Sequence, residues 1–306
     1  MVMMPVLLEK LKTFPKLEDF VQIFQGVGTR ADKVFLVEMR GFSGGLACVF
    51  SSETNKEYRV EPNFLKKGIR GRDIGRYTTD GSQWGLIAPY QVKNGSYSLI
   101  PPKILSSFSP RLVDYLKECR PRLDEREQGR FKGDSWYCYA RPQNLDRFET
   151  PEKIILPDVA DRGKCYLDRE KTWIVDTVYA IIKNPDQPMD HRYILALLNS
   201  PLLTYYLKET GAALRDGYFR MKTAALRPFP LRSIDFSDPA DVQHHHQIIN
   251  LVEGMLALHQ QLAAGPAPGE KTALQRQIDA KDSEINALVY HLYALTDEEI
   301  KIVSGR

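Results

Sequence analysis

The chain has 306 residues, 43% of them hydrophobic and 26% charged, with 42 Lys and Arg against 39 Asp and Glu for a formal net charge of +3. This is the composition of a globular protein of one large or two ordinary domains, and no run approaches the roughly 18 apolar residues that a membrane-spanning helix needs. A membrane partner is therefore excluded, and with no CxxC pair among Cys48, Cys119, Cys138 and Cys165 neither a zinc site nor a disulfide framework is indicated, so reduced thiols and a cytoplasmic location are expected.

The opening "MVMMPVLLEKLKTF" has its charges after its apolar residues and no small-residue cleavage site, so it is not a signal peptide. An apolar stub that leads straight into an amphipathic segment suggests a domain cut from a longer chain. Residues 1–13 read as a linker. From 14 to 235 the text is mixed: β-rich runs "KVFLVEM" (33–39), "LACVFSS" (46–52), "KIILPDV" (153–159) and "TWIVDTVYAII" (172–182) alternate with Gly, Pro and Asp. "SPRLVDYLKECRPRLDER" (109–126) puts Leu112, Tyr115, Leu116, Cys119 and Leu123 on one helical face, with Pro110 in the first turn. "DHRYILALLNSPLLTYYLKET" (190–210) predicts a second helical stretch behind an Asp cap.

After 235 the composition shifts to helix formers. Ile248, Leu251, Val252, Met255, Leu258 and Leu262 recur at helical spacing, and "AAGPAPGE" (263–270) then breaks the run. Leu274, Ile278, Lys281, Ile285, Leu288 and Leu292 follow in steps of four and three, a heptad seam with one lysine in it. Two such helices across a short Pro/Gly loop fold back as an antiparallel hairpin, and Thr296 with Glu299 predicts a capped last helix. The expected class is α+β: a mixed-sheet domain over 14–235, then a C-terminal antiparallel α-helical hairpin with a short final helix over 236–306.

Catalytic signatures are largely missing. The only Pro-Pro, in "LIPPKI" (99–104), lacks the Asn/Asp before it and the aromatic after it that an amino-methyltransferase uses to hold a flipped base. "GVG" (26–28) and "FSGG" (42–45) lack the spacing and the acidic residue of a nucleotide or AdoMet site and read as turns. A magnesium-dependent DNase built from Asp158, Asp168 and Glu170 needs an acid and a Lys on one face of a strand. Glu170 and Lys171 are adjacent, so in a strand they point apart. "HHH" (244–246) cannot aim three adjacent imidazoles at one ion. No G-x-S-x-G elbow accompanies the serines.

Positive charge is concentrated. From Arg59 to Arg76 six basic side chains (Arg59, Lys66, Lys67, Arg70, Arg72, Arg76) stand against two acidic ones (Glu61, Asp73), a local excess larger than the +3 of the whole chain. "GRFKGDSWYCYARPQ" (129–143) interleaves Arg130, Lys132 and Arg141 with Trp136, Tyr137 and Tyr139, and "RDGYFRMKTAALRPFP" (215–230) repeats the mixture around Arg220 and Lys222. Basic groups neutralise phosphates while aromatic and guanidinium planes contact bases or brace loops. A protein-interaction scaffold working through the heptad seam is the competing reading.

The segments "KLEDFVQIFQGVGTRADKVFLV", "LKKGIRGRDIGRY", "KIILPDVADR", "YILALLNSPLLTYYLK", "LRPFPL" and "IDAKDSEINALVYHLYALTDEEIKIV" occur in that order, and with them the chain resembles the C-terminal specificity domain of TaqI-like adenine-N6 DNA methyltransferases. That class is found in single-chain type IIG restriction-modification enzymes of the Eco57I kind and in the methylases of BREX phage-defence systems. The resemblance implies a target-recognition module for double-stranded DNA with no catalytic centre or cofactor of its own, AdoMet being held by a methyltransferase catalytic domain that precedes it. It also implies DNA contacts from Thr29, Arg30 and Lys33 in the first loop and from Lys66, Lys67, Arg70, Arg72, Asp73 and Arg76 in the glycine-rich stretch. Trp136, Arg141, Arg220 and Lys222 complete the expected set. Within it, the glycines of "GIRGRDIG" would allow close approach to DNA, and Asp73 would orient an arginine or read a cytosine amino group.

Overall fold

Two sheets divide the main strands between them in the computed structural model, which describes residues 3–305 apart from 82, 94, 95 and 212. Numbered in chain order, Val21–Gln25 (β1), Val178–Lys183 (β13), Lys153–Pro157 (β9) and Tyr166–Asp168 (β11) form an antiparallel four-stranded sheet in the order β1-β13-β9-β11. Trp173–Ile174 (β12), Leu65–Ile69 (β5), Trp84–Ile87 (β6), Leu36–Ser43 (β2), Leu46–Ser51 (β3) and Lys56–Val60 (β4) form a six-stranded sheet in the order β12-β5-β6-β2-β3-β4, parallel only between β12 and β5. Two small antiparallel pairs join Tyr90–Lys93 (β7) to Ser96–Leu99 (β8) and Val159–Ala160 (β10) to Phe219–Arg220 (β14). The helices are Met3–Leu11 (α1), Asp32–Phe35 (α2), Pro102–Phe108 (α3), Pro110–Glu118 (α4), Arg120–Asp124 (α5), His191–Asn199 (α6), Pro201–Glu209 (α7), Thr223–Leu226 (α8), Pro239–Ala263 (α9), Pro268–Leu292 (α10) and Asp297–Ser304 (α11). The architecture is α+β. Among the described residues no helix is long and apolar enough to cross a membrane.

The four-stranded sheet is the shared wall of two cores. Side chains alternate across a strand, and here both faces are apolar. Ile154, Leu156, Tyr179 and Ile181 pack with α6, α7, α9 and α10, while Ile155, Val178 and Ala180 pack with the six-stranded sheet and α4. That two-sided burial is why β9 and β13 read as continuous apolar runs.

Prolines cut the expected helices. The run at 109–126 becomes α4 and α5, with Pro121 in the first turn of the second, and the run at 190–210 becomes α6 and α7, separated at Ser200 with Pro201 opening the second. "KVFLVEM" starts as the single turn α2 before extending into β2, and "TWIVDTVYAII" splits at a turn over 175–177 into β12 and β13, which enter different sheets. Within the expected linker of residues 1–13, Met3–Leu11 form a helix. Leu7 and Leu11, one turn apart, are fully buried in the helical core, and Lys10 bonds Glu299 at 2.7 Å.

The C-terminal hairpin is as the heptads predict. Leu274, Ile278, Ile285 and Leu292 are buried on the seam, and the Lys281 side chain lies along Gly254 on α9, where a methyl group would meet its Cε at 3.1 Å. Thr296 caps α11 and Glu299 answers it in a capping box. The hairpin shares its core with α6, α7 and the four-stranded sheet. It is also tied electrostatically: Arg76 donates to both carboxylate oxygens of Asp282 on α10, at 3.0 and 2.6 Å, and to the Asn199 carbonyl.

One ion pair in the sheet is wholly buried. Lys153 and Asp168, opposite each other on β9 and β11, meet at 2.6 Å with no exposure of either side chain. Asp168 also accepts from the Thr172 amide and hydroxyl, and Lys153 from its side donates to the Phe148 carbonyl. Removing one partner of such a pair strands the other without water. Lys153→Met should therefore lower the unfolding free energy by about 3–5 kcal/mol in a denaturant titration, and Lys153→Met with Asp168→Leu should recover most of the loss.

Candidate nucleic-acid interface

Three surface depressions run into one another along the six-stranded sheet. The first is lined by Arg30, Ala31, Lys33, Arg122 and Asp176; the second shares Asp32 and Lys33 with it and continues past Leu36 to Arg70, Arg72 and Trp84. The third shares Gln83 and Trp84 with the second and extends over β5 and β6 to Lys67, Tyr166 and Phe42. Together they make a trough whose walls carry Arg30, Lys33, Lys66, Lys67, Arg70, Arg72 and Arg122, with Asp32, Glu38, Glu53, Glu170 and Asp176 among them.

Buried charge fixes the loops of this trough. Arg126 is 2% exposed and has no carboxylate partner among the described residues; its guanidinium donates to four backbone carbonyls, those of Leu123, Thr29, Trp136 and Cys138, at 2.7–2.9 Å. Phe35 and Phe131 flank it, at 5.7 and 5.0 Å from ring centre to guanidinium carbon. Burial pulls its pKa below the ordinary arginine value, yet arginine's margin is wide enough that it stays charged. One side chain thus ties the loop before α2 to the segment 129–139.

A second anchor lies on the opposite wall. Asp73, 2% exposed, accepts from the Arg70 Nε and Nη2 at 2.9 and 2.8 Å and from the Arg70 amide at 3.1 Å. The guanidinium also stacks on Trp84 at 3.6 Å. A bidentate, stacked arginine of this kind is rigid. Between the two anchors the open cations are Lys33 and Arg122, which form no ion pair among the described residues, and Arg30 and Arg72, whose carboxylate partners are each 3.9 Å away.

With this geometry in place, the model of the TaqI-like C-terminal specificity domain matches residues 66–231. The chain belongs to that family. The specificity domain is 22% identical over 294 residues to the type II restriction enzyme and methyltransferase RM.Eco57I of Escherichia coli, covering 92% of this chain and 29% of that protein. It is 25% identical over 114 residues to the putative type II restriction enzyme and methyltransferase RM.MjaORFECS2P of Methanocaldococcus jannaschii, covering 35% of this chain and 10% of that one. The chain therefore spans less than a third of the length of these relatives. In fold it is similar to the type IIL restriction-modification enzyme MmeI, solved in complex with DNA, at a TM-score of 0.57 and 12% identity over 93% of this chain and 34% of that one.

The expected contact residues of the specificity domain fall into three groups. Arg30, Lys33, Lys66, Lys67, Arg70 and Arg72 line the trough, and Arg141 sits beside its end, held through a two-way backbone bridge to Gly28. Lys66 and Lys67, consecutive on β5, take different partners: Lys66 bonds Glu149 at 3.1 Å and lies over Trp173, and Lys67 bonds Glu170. Arg220 and Lys222 are exposed at the β10–β14 pair, Arg220 at 3.6 Å from Asp158 and close to the exposed Tyr218.

The third group is structural. Thr29 is fully buried, its hydroxyl bonding Asp32 and accepting from the Ala31 amide, so it forms the turn that leads into α2. Asp73 is buried and both its oxygens accept from Arg70, and Arg76 is committed to the hairpin. Trp136 is 8% exposed, and Tyr137 and Tyr139 are buried with their hydroxyls on the Ile100 and Ile87 carbonyls, so the aromatic interleaving at 129–143 is core. The close approach of Gly71 is internal too: a methyl group there would stand 2.7 Å from the Thr177 carbonyl oxygen. Sequence reasoning missed Arg126 and Arg122, whose basic neighbours gave no sign of which cation is buried.

The discarded chemistries have physical explanations. Asp168 of the nuclease reading is the buried partner of Lys153, and Asp158 lies on the far side of β9 beside Arg220. Of the three histidines, His245 is buried against Tyr193 and Phe236 and accepts from the Asp190 amide, with its pKa lowered by burial, while His244 faces His291. Among the described residues no three His, Cys, Asp or Glu side chains converge on one point.

Arg126 allows a direct test of how the loops are held. Lysine cannot span four carbonyls, and each carbonyl left unsatisfied costs about 1–3 kcal/mol. Arg126→Lys should lower the unfolding free energy by about 2–4 kcal/mol and speed proteolysis within 127–135; a change below about 0.5 kcal/mol would remove Arg126 as the anchor.

Proposed function

We propose that this domain recognises a specific sequence in double-stranded DNA on behalf of an adenine-N6 methyltransferase or restriction-modification enzyme whose catalytic domain lies outside this chain. The observation that carries the reading is the trough: cations held open on rigid loops, where a solvated face would let them pair. Lys33, Arg72, Arg30 and Arg122 contact phosphates and set the register, and a few side chains on the floor read base edges. The chain's own part in the reaction is positioning. AdoMet and the extrusion of the target adenine belong to the partner catalytic domain, which would supply the methyl group and the base pocket.

On this reading the division at 235/236 is functional. Residues 14–235 carry the DNA surface, and the hairpin of 236–306 stiffens the helical layer behind it through the Arg76–Asp282 pair. The exposed Arg220, Lys222 and Tyr218 form an accessory contact beyond the trough end. Such a partner places the protein in the cytoplasm with the DNA.

Binding of the whole chain to a mixed-sequence 30-base-pair duplex, followed by fluorescence anisotropy against salt, tests the proposal. Each phosphate contact contributes about 0.9 to the slope of log affinity on log salt, so Lys33→Ala with Arg72→Ala should reduce that slope by roughly two and weaken binding to all sequences alike. An unchanged slope would rule out the trough as the DNA surface. Arg76→Ala, outside the trough, should leave the slope unaltered.

A further inference from the structure

Asp176 stands at the tip of the turn that joins β12 to β13, where the chain crosses from the six-stranded sheet to the four-stranded one. The turn is rigid: the Val178 amide donates to the Val175 carbonyl, Gln25 donates to the Asp176 carbonyl at 2.6 Å, and Asp158 donates its amide to Thr177. The side chain is half-buried and lines the trough beside Arg30 and Lys33. Its carboxylate nevertheless has no hydrogen bond or ion pair among the described residues, in contrast to Asp73 and Asp168, which are saturated. Burial, then the charge of Asp32, raise its pKa, and Arg30 and Arg141 oppose that rise from beyond pairing distance.

Gly28 is buried behind the carboxylate, where a methyl group would lie 3.6 Å from Oδ2 and 3.3 Å from the Arg141 Cβ. The half-buried carboxylate therefore faces the depression that it lines with Arg30, Lys33 and Arg122, and a planar group reaches it from that side.

From this geometry we infer that Asp176 is a specificity-determining residue that accepts a hydrogen bond from the N4 amino group of a cytosine in the recognised site. The inference rests on the DNA-reading proposal above. An ionised carboxylate is acceptor-only. Guanine and the thymine O4 present acceptors in the major groove and repel it, and adenine sets the N7 acceptor beside its amino group. In the base pair, cytosine N4 has an acceptor on one side only, the O6 of its guanine, whereas adenine N6 lies between its own N7 and the thymine O4. The same carboxylate, flanked by Arg30 and Arg141, is drawn to the groove while those arginines hold the phosphates on either side.

The test is selection by the whole chain from 30-base-pair duplexes with a randomised centre, followed by anisotropy on the selected duplex and its single-base variants. The wild type should select a motif with at least one required cytosine. Asp176→Ala should lose roughly tenfold or more of the discrimination at that position alone, with the salt slope and melting temperature kept, and Asp176→Asn should shift the preference there toward adenine. A motif without cytosine, or variants that discriminate as the wild type does, would each overturn the role of Asp176 while leaving sequence recognition intact. Duplex binding without any preference, or failure of the wild type to bind duplex at all, would overturn the DNA-reading proposal and this inference with it.

Discussion

Charge buried without water must be matched by the protein itself, and this constraint organises the specificity domain. A guanidinium taken out of solvent needs its donors satisfied, and Arg126 satisfies them on four carbonyls from three separate segments. The loops before α2 and after α5 consequently have one relative position. Asp73 does the same for the opposite wall by binding Arg70, and Lys153 with Asp168 does it within the sheet behind. Cations on these loops remain open to solvent because the anchoring has been given to others.

Much of the fold follows from local pattern. The heptad seam and the Thr296–Glu299 capping box are properties of short windows, and the structure has them where the spacing puts them. The apolar runs that became β9 and β13 were legible because a strand buried on both faces leaves no polar alternation. Boundaries were less so. Pro121 and Pro201 each start a new helix where an uninterrupted apolar stripe suggested continuity, and the β12–β13 turn at Asp176 and Thr177 lay within an eleven-residue stretch that reads as one β-rich run.

The candidate site was legible as a composition and not as a surface. Which cations stay open depends on acids far away in sequence: Lys67 pairs across 103 positions with Glu170, and Arg76 across 206 with Asp282. No window of sequence contains both members. Aromatic residues among basic ones gave the opposite error, since Tyr137 and Tyr139 are core residues whose hydroxyls reach buried carbonyls. Asp176 carried no motif at all. Its interest comes from a tertiary fact, a half-buried carboxylate with no donor among the described residues, on a turn between two sheets.

The family match, the trough and its rigid anchors describe one molecule: a layered support that holds open cations along a groove. The central claim is that this groove is where duplex DNA lies. Hydrogen–deuterium exchange of the whole chain with and without a 30-base-pair duplex tests it most directly. The account predicts added protection over 28–33, 70–73 and 174–177, the segments that wall the trough, with little change in α9 and α10. Protection confined to the hairpin or to 102–118, with those three segments unaffected, would contradict it.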